Sequence, residues 1–163
     1  MVLSEVSDAD AVRIEPFQPR FAPDVARLNR EWLTGHFQLD DVDEAFFRDP
    51  AAHVIAKGGA IFCAVLGEAV VGCACIAPSG ARAMTLSKVA VTPVAQGRGI
   101  GRRLCEAAVE FAQEQGADGV TLWSNSRLTA ALHLYEALGF VHRPPPVAPP
   151  HADADVYMMR PLP

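Results

Sequence analysis

The segment from Leu86 to Leu104 constrains this chain more than any other. An apolar run, Leu86-Ser87-Lys88-Val89-Ala90-Val91, has strand character and stops at Thr92-Pro93. Gln96-Gly97-Arg98-Gly99-Ile100-Gly101 follows, and Arg102-Arg103-Leu104 leads straight into a helical pattern. A helix N-terminus carries N–H groups with no intrahelical partner and a partial positive charge. Glycine at every second position lets such a backbone close around an anionic group. The order strand, glycine turn, helix therefore predicts a phosphate-bearing ligand at residues 97–102.

The rest of the pattern is built around that unit. A loose terminus reaches about Ala11, and Val12–Phe17 reads as a short strand. Pro23 and Asp24 suit a first helical turn, with Val25, Leu28, Trp32 and Leu33 at helical spacing behind them. A second short helix is predicted over Asp40–Phe47, stopped before Pro50. Ala60–Leu66 and Ala69–Ala77 read as a hairpin about Gly67-Glu68, and Met84–Val91 is the next strand. The helix after the glycine turn runs from about Gly101 to Gln115, with Leu104, Ala108, Phe111 and Ala112 inward. Gly116 is its left-handed cap. Val120–Trp123 is a buried strand. Thr129–Leu138 is a helix stopped by Gly139, with Phe140 folding back in the Schellman manner. Phe140-Val141-His142 starts another strand, and Val156–Arg160 is the last, beyond a proline-rich stretch over 144–150. Helices, an antiparallel meander, then β-α-β-α-β predict a mixed α/β (α+β) fold, one central sheet flanked by helices. We expect a single domain over 1–163.

Composition narrows the partners. The chain has 163 residues, 50% hydrophobic, with a formal net charge of −5. An acidic balance argues against nucleic acid or an anionic membrane as main partner. Cys63, Cys73, Cys75 and Cys105 lack C-x-x-C or zinc-finger spacing and sit in apolar runs. They read as buried thiols in a reducing, cytoplasmic setting, with no metal. No secretory signal or membrane-length apolar run is visible.

The turn departs from two familiar phosphate motifs. G-x-G-x-x-G would need glycine where Arg102 stands, and no Gly-Lys-Ser/Thr follows for a Walker loop. Q-x-x-G-x-G does match, through Gln96, Gly99 and Gly101, after the strand Lys88-Val89-Ala90-Val91. Downstream stands Ala131-Leu132-His133-Leu134-Tyr135-Glu136-Ala137-Leu138-Gly139-Phe140, with its L-Y-x-x-x-G-F. On these residues the chain resembles the GCN5-related N-acetyltransferase (GNAT) superfamily, over roughly residues 12–160. Arg30-Glu31-Trp32, Gly58–Phe62 and Val71-Gly72-Cys73 resemble a bacterial branch of it whose substrates are poorly defined.

That resemblance implies an acetyl-CoA-dependent N-acetyltransferase with a GNAT-like acyl-CoA N-acyltransferase fold. The backbone of Gln96, Gly97, Arg98, Gly99, Ile100, Gly101 and Arg102 would hold the pyrophosphate of acetyl-CoA, with charge from Arg98, Arg102 and Arg103. The pantetheine arm would lie along Val89, Ala90 and Val91 like an added strand. The Val89 N–H would polarise the thioester carbonyl. Tyr135 would protonate the leaving thiolate, which suits a hydroxyl of pKa about 10 facing a thiol of pKa about 8.5. Asn125 either bonds the ligand or caps the next helix, a role open to Ser126 as well. Many relatives instead carry asparagine where Leu128 stands. A homodimer is left open.

The acceptor must be a neutral amine. Freeing a lysine-like amine of pKa about 10.4 at pH 7 costs about 4.6 kcal/mol, against about 1 kcal/mol for an α-amino group near 7.7. Related chains often place glutamates where Thr85 and Trp123 stand, so no base is evident there. Glu31, His36, Asp40, Asp41 and Glu44 are the remaining candidates, and a water chain is another. His151, Asp153 and Asp155 border the acceptor groove if the proline-rich loop flanks it. The reading is direct attack on acetyl-CoA by a small, weakly basic or α-amino primary amine. The alternative, supported by the missing acidic pair, is a non-catalytic acyl-CoA-binding or sensing module.

Overall fold

The computed structural model describes residues 11–36, 41–80 and 82–163, and the side chains of all of these except 34–36, 41 and 42. The loose terminus expected before Ala11 lies outside the described residues. The strands are β1 Val12–Pro16, β2 Ala60–Leu66, β3 Ala69–Pro78, β4 Ala83–Val91, β5 Gly119–Ser124, β6 Val141–His142 and β7 Val156–Pro161. The helices are α1 Ala22–His36, α2 Asp41–Arg48, α3 Pro50–Val54, α4 Ile100–Glu114 and α5 Thr129–Ala137. The strands form one sheet in the order β1-β2-β3-β4-β5-β7-β6. Every pairing is antiparallel except β4 with β5, which is parallel.

Two apolar layers sandwich this sheet. Leu104, Ala108 and Ala112 of α4 pack with Ala74, Ile76, Leu86, Leu122, Phe140 and Met158 on one face. Val25 and Leu28 of α1 pack with Ile61, Cys63, Val65, Cys73, Cys75 and Ala90 on the other. β3 is central and covered on both faces, so it reads as an almost continuous apolar run. Among the described residues no helix is long and apolar enough to cross a membrane.

Helix ends follow local chemistry. Gly116 (φ 77°) and Gly139 (φ 93°) are left-handed, as their positions predict. At the end of α5, Phe140 N–H donates to the Tyr135 carbonyl (3.0 Å) and Gly139 N–H to that of Glu136 (3.1 Å). This is the Schellman pattern, completed by edge-on packing of Phe140 against Tyr135 with centroids 6.0 Å apart. Pro50, by contrast, does more than stop a helix. Asp49 caps the Ala52 N–H at 3.1 Å and Pro50 takes the first turn of α3. Proline has no N–H to lose at that position.

β4 carries a bulge. Cys73 pairs with Ala90 and Cys75 with Ser87, so Lys88 and Val89 together oppose Ala74. The extra residue reverses which face each side chain meets. Met84 and Leu86 belong to the α4 layer, yet Ala90 belongs to the α1 layer.

Candidate active site

The glycine turn is shaped by backbone need. Gly97 and Gly99 have φ of 82° and 75°, and a Cβ at either would meet nothing within 4 Å. Their requirement is conformational, since an L-residue in this region costs about 1–2 kcal/mol. Gly99 is the N-cap of α4 and no side chain caps that end. The N–H groups of Ile100, Gly101 and Arg102 therefore have no intrahelical acceptor. Gln96 fastens the turn to the strand before it, its Nε2 donating to the Val91 carbonyl at 3.0 Å. A Cβ on Gly101 would sit 3.6 Å from Leu134 Cδ2 and 4.0 Å from Val91 Cγ2, so turn, strand and α5 converge there.

The three arginines expected to supply charge are divided. Arg98 and Arg102 are exposed at the turn, the latter 3.8 Å from Glu106. Arg103 instead donates to the Val12 carbonyl of β1 at 2.9 Å. Its guanidinium is committed to the sheet edge under α4.

Beside the turn the sheet opens. β4 and β5 pair only at Ala83–Thr85 with Gly119–Thr121. β4 continues against β3 to Val91, and β5 continues against β7 to Ser124. From Leu86 onward the β5-facing edge of β4 thus has no strand partner. Val89, Ala90 and Val91 lie on that edge.

Lys88 has φ 55°, the sole positive value at a non-glycine residue among the described ones. Such a conformation costs of order 1–3 kcal/mol and needs support from its surroundings. Lys88 Nζ meets Asp43 Oδ1 of α2 at 3.3 Å and lies 5.4 Å from the centre of the Phe46 ring. The Cys73 thiol donates to the Lys88 carbonyl at 3.5 Å, and Asn29 Nδ2 donates to the same sulfur at 3.3 Å. In a trans peptide C=O and N–H point opposite ways. A Lys88 carbonyl drawn toward β3 therefore turns the Val89 N–H away from β3.

Tyr135 is half-buried on α5 and packs against the α4 layer with Val89 and Val91. Its hydroxyl has no hydrogen-bond partner among the described residues. Burial, then Cys105, raises its pKa well above the ordinary tyrosine value, so it stays protonated. Asn125 is buried and bonded at both amide atoms. Its Nδ2 donates to the Asp153 carbonyl (2.6 Å), and its Oδ1 accepts from Arg127 N–H (2.8 Å) and Nε (3.2 Å). The expected cap of α5 by Asn125 or Ser126 is not made: Leu128 is the N-cap, without a side-chain bond. Ser126 bonds Asp155 instead, through N–H (2.9 Å) and Oγ (2.8 Å), which holds the Asp155 carboxyl below its usual range. These bonds tie the β5–α5 turn to the loop before β7, because that loop returns beside β5.

Neither Thr85 nor Trp123 supplies a base. Thr85 Oγ1 and Thr121 Oγ1 bond each other at 2.9 Å, and Trp123 packs on Tyr157 with centroids 5.0 Å apart. Glu31 meets Thr92 Oγ1 (3.0 Å) and Arg27 (3.8 Å), and Glu44 meets Arg30 (3.2 Å). The side chains of His36, Asp40 and Asp41 lie outside the described residues. Asp43, 3% exposed, is not evident as a site residue from sequence; the lone charge of Lys88 in an apolar strand is the signal that could have found it. Phe46, His53, Val54, Ala77, Ser87 and Lys88 line a cleft on this face. All four cysteines are free and buried. Burial pushes Cys63, Cys73 and Cys105 up to about 12 and raises Cys75 too, so none is poised as a nucleophile.

Comparison with known proteins decides what this arrangement belongs to. The model of the acetyltransferase (GNAT) family matches residues 22–140. The chain belongs to the GNAT acetyltransferase family. A mycothiol acetyltransferase of Renibacterium salmoninarum is 37% identical over 65 residues, which is 39% of this chain and 19% of that protein. N-acetyltransferase 8B of Rattus norvegicus is 28% identical over 110 residues, 64% of this chain and 46% of that one. The chain thus spans about a fifth of the first relative and under half of the second. Among solved structures, a GNAT-family acetyltransferase of Staphylococcus aureus Mu50 superposes with TM-score 0.83 at 17% identity, covering 93% of this chain and 99% of that one. The protein yncA of Salmonella typhimurium, solved with its cofactor acetyl-CoA, superposes with TM-score 0.72 at 19% identity, covering 93% and 94%. At such identities the likeness establishes the GNAT fold, a mixed sheet flanked by helices.

Proposed function

We propose that this GNAT acetyltransferase moves the acetyl group of acetyl-CoA to the nitrogen of a small primary amine by direct attack. The observation that carries the reading is the open edge of β4 beyond Thr85, which runs into the glycine turn. An extended, amide-bearing arm can bond that edge as an added strand. The first-turn N–H groups of α4 suit a pyrophosphate, with Arg98 and Arg102 nearby. Val89 N–H, turned away from β3, is the donor for the carbonyl oxygen as charge gathers on it.

A bond forms between the amine nitrogen and the carbonyl carbon, and the carbon–sulfur bond breaks. Nitrogen loses one proton to solvent, sulfur gains one from the Tyr135 hydroxyl, and that hydroxyl regains one from solvent. Burial keeps the Tyr135 hydroxyl neutral, and with no partner among the described residues it is free to turn toward the sulfur. Buried thiols argue against an acyl-cysteine step. Asn125 serves by anchoring the turn after β5 rather than by an uncommitted amide.

Thr85, Thr121, Trp123 and Tyr157 offer hydroxyls and rings where a carboxylate base would act. This favours an acceptor that is neutral without help, such as an α-amino or weakly basic compound. The matches to mycothiol acetyltransferases cover 39% and 32% of this chain, too little to carry an acceptor, so the acceptor class rests on these residues. The lack of an acid at these four positions favours a second reading, a non-catalytic acyl-CoA-binding module. Both predict thermal stabilisation by acetyl-CoA. Thiol release on a panel of amino acids, small amines and polyamines separates them. Release with no amine supports the binding module, and spermidine turnover far above that of amino acids would overturn the acceptor class.

A further inference from the structure

We infer that Lys88 and Asp43 form a positioning clasp that holds the β4 bulge in the conformation aiming the Val89 N–H away from β3, toward the open edge of β4. The inference rests on the proposed role of that N–H in acetyl transfer.

Three observations converge. The bulge places its extra residue at Lys88–Val89. Lys88 is left-handed at φ 55°, a region that favours glycine and asparagine over lysine. Its side chain is gripped from α2, with Nζ 3.3 Å from Asp43 Oδ1 and 5.4 Å from the Phe46 ring centre. The lysine side chain is 21% exposed and the aspartate 4%, so solvent screens the pair little. A strand lysine with no other duty would relax to extended backbone. The pair compensates for the strain by anchoring the far end of the side chain while Cys73 holds the carbonyl end of the same residue. The Lys88–Val89 peptide is thus fixed between two elements, α2 and β3. Neither Lys88 nor Asp43 has to touch a reacting atom for this. Their effect is on the direction of one N–H, and it links α2 to β4.

The test uses the full chain with K88A, D43N and K88N. Alanine and the broken pair leave a strained bulge unsupported, whereas asparagine is at ease in the left-handed region without any pair. We expect kcat to fall tenfold or more in K88A and D43N, with the acetyl-CoA KM within about twofold of wild type. K88N should recover kcat to within about threefold, and D43N should cost nothing further in a K88N background. Equal losses in K88A and K88N, or wild-type kcat in K88A, would overturn the clasp. Backbone NMR shifts provide the arm that needs no turnover. Residue 88 should keep positive φ in wild type and K88N and lose it in K88A and D43N; a positive φ kept in all four refutes the clasp. If the wild type releases no thiol with any amine, the transferase reading falls, while the NMR arm still judges the clasp.

Discussion

Replacing Tyr135 with phenylalanine removes one oxygen and leaves the rest of the site in place. The ring keeps its edge contact with Phe140, 6.0 Å between centroids, and its place in the α4 layer. Because the hydroxyl has no partner among the described residues, no hydrogen bond of the usual ~1 kcal/mol is forfeited. At about 2–4 °C per kcal/mol for a domain of this size, Tm should stay within about 2 °C. Loss of a positioned general acid typically costs a factor of about 10²–10⁴, or about 3–5 kcal/mol in the barrier. The expected outcome is therefore a kcat at least a hundredfold lower in a protein that melts like the wild type and binds acetyl-CoA as well. Release of CoA can be followed with a thiol reagent, since the protein's own thiols are buried and three are pushed up to about 12. A kcat within threefold of wild type would refute the assignment. So would a Tm loss beyond about 5 °C, which would mean that the hydroxyl supports the fold.

Other expectations concern the turn, its arginines and the buried thiols. Gly99→Ala should lose about 1–2 kcal/mol through its left-handed φ and weaken CoA binding tenfold or more, because the cap of α4 must shift. Gly101→Ala, whose Cβ has ordinary contact room, should keep its Tm; equal destabilisation of the two would contradict a conformational role for Gly99. Arg98→Ala should weaken CoA and flatten its salt dependence more than Arg103→Ala, since Arg103 is spent on the Val12 carbonyl. Calorimetric titration at two salt concentrations checks the order, and a larger loss in Arg103→Ala would reverse it. Stability should decline under alkali. Cys63, Cys73, Cys105 and Tyr135 keep their protons in the native state at pH values where the unfolded chain releases them. Their contribution is whole below about pH 9 and is lost as pH rises toward 12, by about 1.36 kcal/mol per pH unit for each group protonated only in the folded chain. Denaturant melts between pH 8 and 11 that stay level would speak against those buried thiols.

Local features were legible because their causes are local. Gly116 and Gly139 end helices by taking a left-handed φ, and each announces itself within one turn of sequence. Pro50 follows the end of α2 as its position predicts, but the same residue also opens α3, which shows only through the Asp49 cap. Asn125 and Ser126 were readable as cap residues, yet their partners, Asp153 and Asp155, come from a loop nearly thirty residues away.

By itself the chain's order of residues determined the strand, glycine turn and helix of the proposed donor site, the tyrosine on α5 and the family. Each depends on spacing along the chain, on caps or on glycines that the backbone demands. Tertiary structure alone decided where β4 parts from β5, which way the Lys88–Val89 peptide faces, that Arg103 turns to the sheet edge and that Asp43 meets Lys88. Asp43 and Lys88 are 45 residues apart. Nothing in either neighbourhood specifies the other; packing α2 over the bulge brings them together in a place where a charge needs a partner.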